Sequence, residues 1–291
     1  MSTVNDKVII TAELTGPEIS GSSDFSKVSS VMAESVYQCW QAGAAVVHLQ
    51  MKNSRKKGRK VDQCLRDTIQ RVRMHHDCNV IIDCTEPDTN CVSGFDHAGA
   101  KAADSEKSVV DGIEMGAYGA EFFNWVPGGK FENTAKLWHS MNQAYKERGI
   151  KPEVQIKDSG TLSIVNYRLY TEKNYFSPEE VYFQIRLGFD GGMAASVDNL
   201  MTLQKCIPKN AKWSVFGAKE AQFPMIYAAL ALGGNICVCA SHQVIDGRIS
   251  SSADVIEEQV VYIDRAVQAV DAFGKKKATS KEARELLGMK K

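Results

Sequence analysis

The stretch Ala42-Gly43-Ala44-Ala45-Val46-Val47-His48-Leu49-Gln50 decides the fold. Its apolar run is what a strand buried on both faces shows, as in a parallel sheet covered by helices. Strand side chains alternate, so His48 and Gln50 point to one face. Two polar groups at the C-terminal end of such a strand are placed to hold a ligand above the sheet. A His-x-His pair there would be a ready set of metal ligands. Here the second group is Gln50, and a carboxamide is a poor ligand for zinc.

Outward from this strand, short β-rich runs alternate with amphipathic stretches. Strands are expected at 8–12, 45–50, 79–84, 120–124, 153–157, 182–187, 211–216 and 235–239. Residues 26–42 place Val28, Val31, Met32, Val36 and Trp40 at helical spacing, and Gly43 follows as a stop. Segments 61–76, 105–115, 132–148, 197–206, 220–232 and 256–273 read likewise, while 161–181 is ambiguous. A final helix is expected at 280–287. Eight strands alternating with helices predict a (β/α)₈ TIM barrel, read as a single domain over 1–291. A doubly wound open sheet is the alternative, but no GxGxxG follows the first strand.

The 291 residues carry 35 basic and 35 acidic side chains. Zero net charge gives no general attraction to nucleic acid or to an anionic membrane. No segment has the length of a membrane span, and the first residues lack the apolar core of a signal peptide. The eight cysteines form no CxxC pair. Reduced, buried thiols in a cytoplasmic protein are the expectation. One local run, Lys52 to Lys60, is strongly basic. It reads as a solvated loop or, because it directly follows the His48 strand, as a phosphate-binding loop.

A TIM barrel carries its chemistry at the C-terminal strand ends. The polar residues predicted there are Glu13, Thr15 and Glu18; His48, Gln50 and Lys52; Asp83, Thr85 and Glu86. Later strands add Gln155, Lys157 and Asp158; Arg186; Lys219 and Glu220; and Ser241 and His242.

These residues sit in segments that resemble the β-keto acid cleavage enzymes, which include the 3-keto-5-aminohexanoate cleavage enzymes. KVIITAELTGPE (7–18) is similar to the family's opening strand and glutamate-bearing loop, and AGAAVVHLQ (42–50) to its AGAxxVHLH. KPEVQIKDSG (151–160) resembles its fifth strand, and QIRLGFDGGMAASVDNL (184–200) its sixth strand and glycine turn. WSVFGAKEAQFPMIYAALALGGN (213–235) is similar to its seventh strand and the approach to the eighth. The resemblance implies a (β/α)₈ barrel, usually a homo-oligomer. It implies transfer of an acyl fragment from a β-keto acid to acetyl-CoA, giving acetoacetate and a new acyl-CoA, with a divalent metal, typically zinc, polarising the keto acid.

The family holds its metal with both histidines of HLH and a glutamate in a GGHxRxGxED segment. Only His48 matches. Gln50 replaces the second histidine, Ser241 falls at the ligand glutamate, His242 at the neighbouring aspartate and Cys237 at the arginine. Thr85 stands where the family has serine. Glu18 matches the loop glutamate that faces the substrate amine, and its fifth-strand companion becomes Gln155. Zinc is therefore expected to be weak or absent at the family's position.

The resulting assignments are Lys157, Asp83, Thr85 and Glu13 as catalytic candidates, and Glu18, Gln50, Gln155 and Ser241 toward a small keto acid or carboxylate. Lys56, Lys57 and Arg59 would meet the phosphates of acetyl-CoA if it is the cosubstrate. His48 is the retained metal ligand. Lys157 is expected to pair with Asp83 near His48, since an isolated ammonium in a barrel interior carries a large desolvation cost. Three readings follow: an altered metal site of His48, Asp83 and Glu13; metal-free carbon–carbon cleavage with Lys157 as Schiff-base nucleophile or fixed charge; and a catalytically inactive barrel that binds a small molecule.

Overall fold

The computed structural model describes residues 6–16, 25–50, 58–86, 112–119, 142–167, 176–240 and 252–289. A two-residue strand β1 (Lys7–Val8) leads into β2 (Ile10–Thr15). There follow β3 (Val46–Gln50), β4 (Ile81–Glu86), β5 (Met115–Gly119), β6 (Lys151–Ile156), β7 (Tyr182–Leu187), β8 (Lys212–Gly217) and β9 (Asn235–Val238). Strands β2 to β9 close into a barrel in chain order, with β9 pairing back onto β2. All the neighbouring pairs are parallel. This is the (β/α)₈ barrel that the alternation predicts.

The described helices are α1 (Phe25–Ala42), α2 (Gly58–Met74), α3 (Ser159–Asn166), α4 (Val197–Cys206), α5 (Gln222–Ala231), α6 (Ser252–Ala272) and α7 (Ser280–Leu286). Residues 142–148 are also helical. None of the described helices is long and apolar enough to cross a membrane. Seven described cysteines are free thiols, all buried except Cys206.

One strand departs from the sequence expectation. The fourth barrel strand is Met115–Gly119, not 120–124, so residue 115 ends no helix. Two glycines in MGAYG lower its apparent strand propensity. Gly116 is there for packing: a Cβ at this position would lie 2.3 Å from the Tyr145 ring, which the strand's backbone approaches directly.

The barrel's N-terminal end is shut. Ile9, Val46, Ile81, Met115 and Tyr182 form an apolar plug, against which Ala278, Ala283 and Leu287 pack. A last short strand, β10 (Lys276–Lys277), pairs in parallel with β1 and delivers α7 to this end. Thr279 caps α7 and forms a capping box with Glu282. Arg284 then clamps Glu114 through two bonds, Nε–H to Oε2 and Nη2–H to Oε1, both 2.7 Å. With this end sealed by apolar side chains, only the C-terminal end is left for polar chemistry.

Candidate active site

Above the apolar plug the barrel interior turns polar. His48, Asp83 and Glu153 are fully buried, and ligand-capable atoms of the three lie within 4.8 Å of one another. The register aligns His48 with Asp83 on adjacent strands. Asp83 Oδ2 lies 2.6 Å from His48 Nδ1, a charge-assisted contact. Burial pulls the imidazole pKa down, but the Asp83 carboxylate, its hydrogen bond and the charges of Glu13 and Glu153 outweigh it and raise His48 to about 9. Glu153 is pushed up to about 8, chiefly by burial and then by the charge of Asp83, with His48 and Gln155 pulling the other way. At neutral pH His48 is thus held as an imidazolium, and Glu153 is biased toward its protonated form.

Beside this cluster, Arg186 of β7 reaches Glu13 of β2, which pairs in register with His48. Its Nη1–H donates to Glu13 Oε2 at 2.7 Å and its Nη2–H to Glu13 Oε1 at 3.2 Å. A second Nη1–H donates to Gln184 Oε1 at 2.8 Å. The guanidinium lies 4.6 Å from the Phe189 ring centre and 4.7 Å from that of Phe216. Burial lowers its pKa, but Glu13 more than compensates, so Arg186 is held even more firmly charged than usual. Phe216 packs with Cys237 and Cys239 into one apolar wall. Burial, reinforced by Glu13, raises the Cys237 thiol well above its ordinary value, so it packs as a neutral group.

The expected Lys157–Asp83 pair does not form. Asp83 aligns through Met115 with Lys151, six positions before Lys157 in β6 numbering, or roughly 20 Å of strand. Asp83 takes His48 instead. Lys157 is half-buried just beyond β6, where its carbonyl accepts from Met193 N–H at 2.9 Å. Gly192 lets the two loops close: a Cβ there would lie 2.8 Å from Lys157 Cβ. The cation that Glu13 meets is thus Arg186. The altered metal set of His48, Asp83 and Glu13 is corrected as well, because Glu13 is committed to Arg186 and Glu153 takes its place beside the other two.

Gln50 is half-buried, 3.5 Å from the Thr15 hydroxyl, and Gln155 is buried, donating to Glu153 Oε1 at 3.5 Å. Thr85 lies in β4, with only its backbone described. Arg59 lies in α2, again with only its backbone described. Glu18, Lys56, Lys57, Ser241 and His242 fall outside the described residues. Glu153 was missed from the sequence, although Glu153-x-Gln155-x-Lys157 puts it on the inward face.

Among the described residues, the family's zinc position offers His48 and the amide of Gln50, which does not fit. The displaced set His48, Asp83 and Glu153 suits a divalent cation better. It supplies one imidazole and two carboxylates, and Asp83 Oδ1 and Glu153 Oε2 are buried without a hydrogen-bond partner.

The fold is shared with solved structures. A ternary complex of ObcA with a C4-CoA adduct and oxalate superposes with a TM-score of 0.58 at 14% identity, covering 90% of this chain. The chain spans 66% of that structure's length, just under two thirds. Among curated proteins, the 3-keto-5-aminohexanoate cleavage enzyme of Fusobacterium nucleatum is 26% identical, over 98% of this chain and 99% of its own. The 3-dehydrocarnitine:acetyl-CoA trimethylamine transferase of Rhizobium meliloti is 24% identical, over 99% of this chain and 98% of its own. The beta-keto acid cleavage enzyme family matches residues 7–289. With that match over nearly its whole length, and a closed barrel carrying its polar groups at one end, the chain belongs to the β-keto acid cleavage enzyme family.

Proposed function

We propose that the protein cleaves a carbon–carbon bond of a small β-keto acid and transfers the acyl fragment, with acetyl-CoA as cosubstrate. The observation that carries this reading is the family match over residues 7–289. The site chemistry supports it. Cleavage next to a ketone develops negative charge on oxygen, and an enzyme gains most from fixed positive groups aimed at that charge. His48 is such a group: Asp83 holds its ring in place and keeps it protonated at neutral pH. Asp83 acts through His48 and is a positioning residue. Glu13 has both oxygens on Arg186 and sets the direction of that guanidinium. Phe216, Cys237 and Cys239 exclude water from one side of the site. Thr85, Gln50, Gln155 and Lys157 are assigned to the substrate, with Glu18 and Ser241, and the basic run Lys56, Lys57 and Arg59 to the CoA phosphates.

A divalent cation held by His48, Asp83 and Glu153 would displace the protons of His48 and Glu153, take the place of the imidazolium charge and supply Lewis-acid polarisation of the keto oxygen. The buried free thiols fit a cytoplasmic protein, and the family resemblance a homo-oligomer.

The test is a turnover assay. Protein is incubated with acetyl-CoA and β-keto acids of five to eight carbons, with and without an amine, and acetoacetate and new acyl-CoA are followed by mass spectrometry. At least one acid is expected to yield both products, at a rate that falls about a hundredfold or more in His48→Ala. No product from any acid overturns the reading.

A further inference from the structure

A guanidinium carries five N–H donors in a fixed plane. In Arg186 three of them are spent: both on Nη1, to Glu13 Oε2 and Gln184 Oε1, and one on Nη2, to Glu13 Oε1. The Nε–H and the second Nη2–H have no acceptor among the described residues. These two bonds point in parallel from one edge of the plane, spaced to grip the two oxygens of a carboxylate. The other edge is locked by Glu13, and the Phe189 and Phe216 rings, whose centres are 5.3 Å apart, pack together against the guanidinium. The side chain keeps 11% of its exposure, and Arg186 is the penultimate residue of β7, at the barrel's open end. A buried, rigid cation with one complete fork left over is poorly suited to structural pairing alone, since each unspent N–H in a desolvated place carries a cost.

The geometry points to a carboxylate subsite on the Nε/Nη2 edge of Arg186, which takes the carboxylate of the substrate acid and sets its orientation. Glu13 is not displaced. It neutralises one edge of the guanidinium and so leaves room for a single carboxylate on the other. The bonds to Glu13 and Gln184 fix the plane of the guanidinium, and the ligand carboxylate lies coplanar with it. The subsite selects mono-carboxylates of planar head group over esters, amides and alcohols. It rests on the proposed reading only for the identity of the ligand as a keto acid.

The experiment measures binding, not turnover. Full-length protein is titrated by calorimetry with 3-hydroxybutyrate, which has the acid but no ketone to cleave, and with its methyl ester. The acid is expected to bind at least tenfold more tightly than the ester. Arg186→Lys keeps the charge but not the fork, and should lose about ten- to a hundredfold in affinity for the acid, with none for the ester. Because Arg186→Met alone leaves Glu13 buried beside apolar rings and can impair folding, the paired variant Glu13→Leu/Arg186→Met is the second probe. It should fold by circular dichroism and no longer distinguish acid from ester. Equal binding of acid and ester by the parent, no binding of either, or full affinity in the folded double variant each overturns the subsite. Failure of the turnover assay with acid binding intact defeats the reaction and leaves the subsite standing.

Discussion

The Glu13–Arg186 pair joins β2 to β7 across the barrel, and the cost of breaking it can be worked out. Glu13→Leu leaves a guanidinium, 9% exposed as a residue, against two phenylalanine rings, with Gln184 as its remaining acceptor among the described residues. Removing one partner of a buried ion pair costs about 3–5 kcal/mol, because the charge left behind can neither be solvated nor paired. In a chain of this size that corresponds to a fall in Tm of roughly 5–15 °C. Arg186→Met should be destabilising for the converse reason. The double variant replaces both charges with apolar groups of similar volume. Such replacements come within about 1 kcal/mol of the parent or exceed it. The cycle should thus return a coupling energy of at least about 2 kcal/mol. The assay is chemical denaturation of all four proteins, at low and at 0.5 M salt. A buried pair is barely screened, so the coupling should survive the salt. Single variants within about 1 kcal/mol of the parent, or a double variant as unstable as the sum of the singles, would refute the reasoning.

Two further predictions concern other buried charges. If His48, Asp83 and Glu153 hold a divalent cation, protein dialysed against zinc or manganese should retain about one equivalent. Glu153→Gln should weaken retention at least tenfold while Gln50→Ala leaves it unchanged, as read by plasma mass spectrometry; loss in the Gln50 variant alone would put the cation back at the family's position. Lys151 is lowered to about 8, mainly by burial, although Glu180 and Glu179 pull it up. The unfolded chain therefore binds the extra proton between about pH 8 and 10.5, stability rises with pH across that window, and the penalty is complete below it. Lys151→Met should gain up to about 2 kcal/mol at pH 7, net of the bond its Nζ donates to the Glu179 carbonyl, and lose the advantage by about pH 10.5; a variant less stable than the parent at both pH values would contradict this.

Most of the barrel was legible because burial on both faces writes itself into composition. Val46-Val47, Ile81-Ile82 and Ile236 are apolar whichever way they face, since one face meets the plug or interior and the other the helices. The fourth strand was not legible. Its inward and outward positions are Met115, Gly116 and Ala117, and the glycine is chosen for the ring of Tyr145, a residue about thirty positions away. No local pattern carries that contact.

The site was legible as a set of residues and not as a set of partners. Alternation gives the face of each side chain, so Glu13, His48, Asp83, Gln155 and Arg186 could all be placed inside. It does not give height. Partnership depends on register between strands far apart in sequence, and a shift of a few residues moves a charge past its partner. Lys157 and Asp83 share the inward face, yet the register separates them, and the imidazole of His48 is the neighbour that Asp83 meets. Arg186 finds Glu13 because β2 and β7 face one another through the interior, a relation that only closure of the barrel creates. The physical consequence is two charge clusters that adjoin, since Glu13 pairs in register with His48. The one at His48, Asp83 and Glu153 is balanced by protons and is open to exchange for a cation. The other, at Glu13 and Arg186, is balanced by a fixed pair that leaves one donor edge unspent. A β-keto acid gripped by that edge presents its ketone at a fixed spacing from the carboxylate, so its length beyond the ketone is not read at Arg186. Arg186→Lys should therefore cost short and long acids the same factor in affinity, measured by calorimetry on the non-reacting hydroxy acids, whereas a penalty that grows with chain length would put the carboxylate elsewhere.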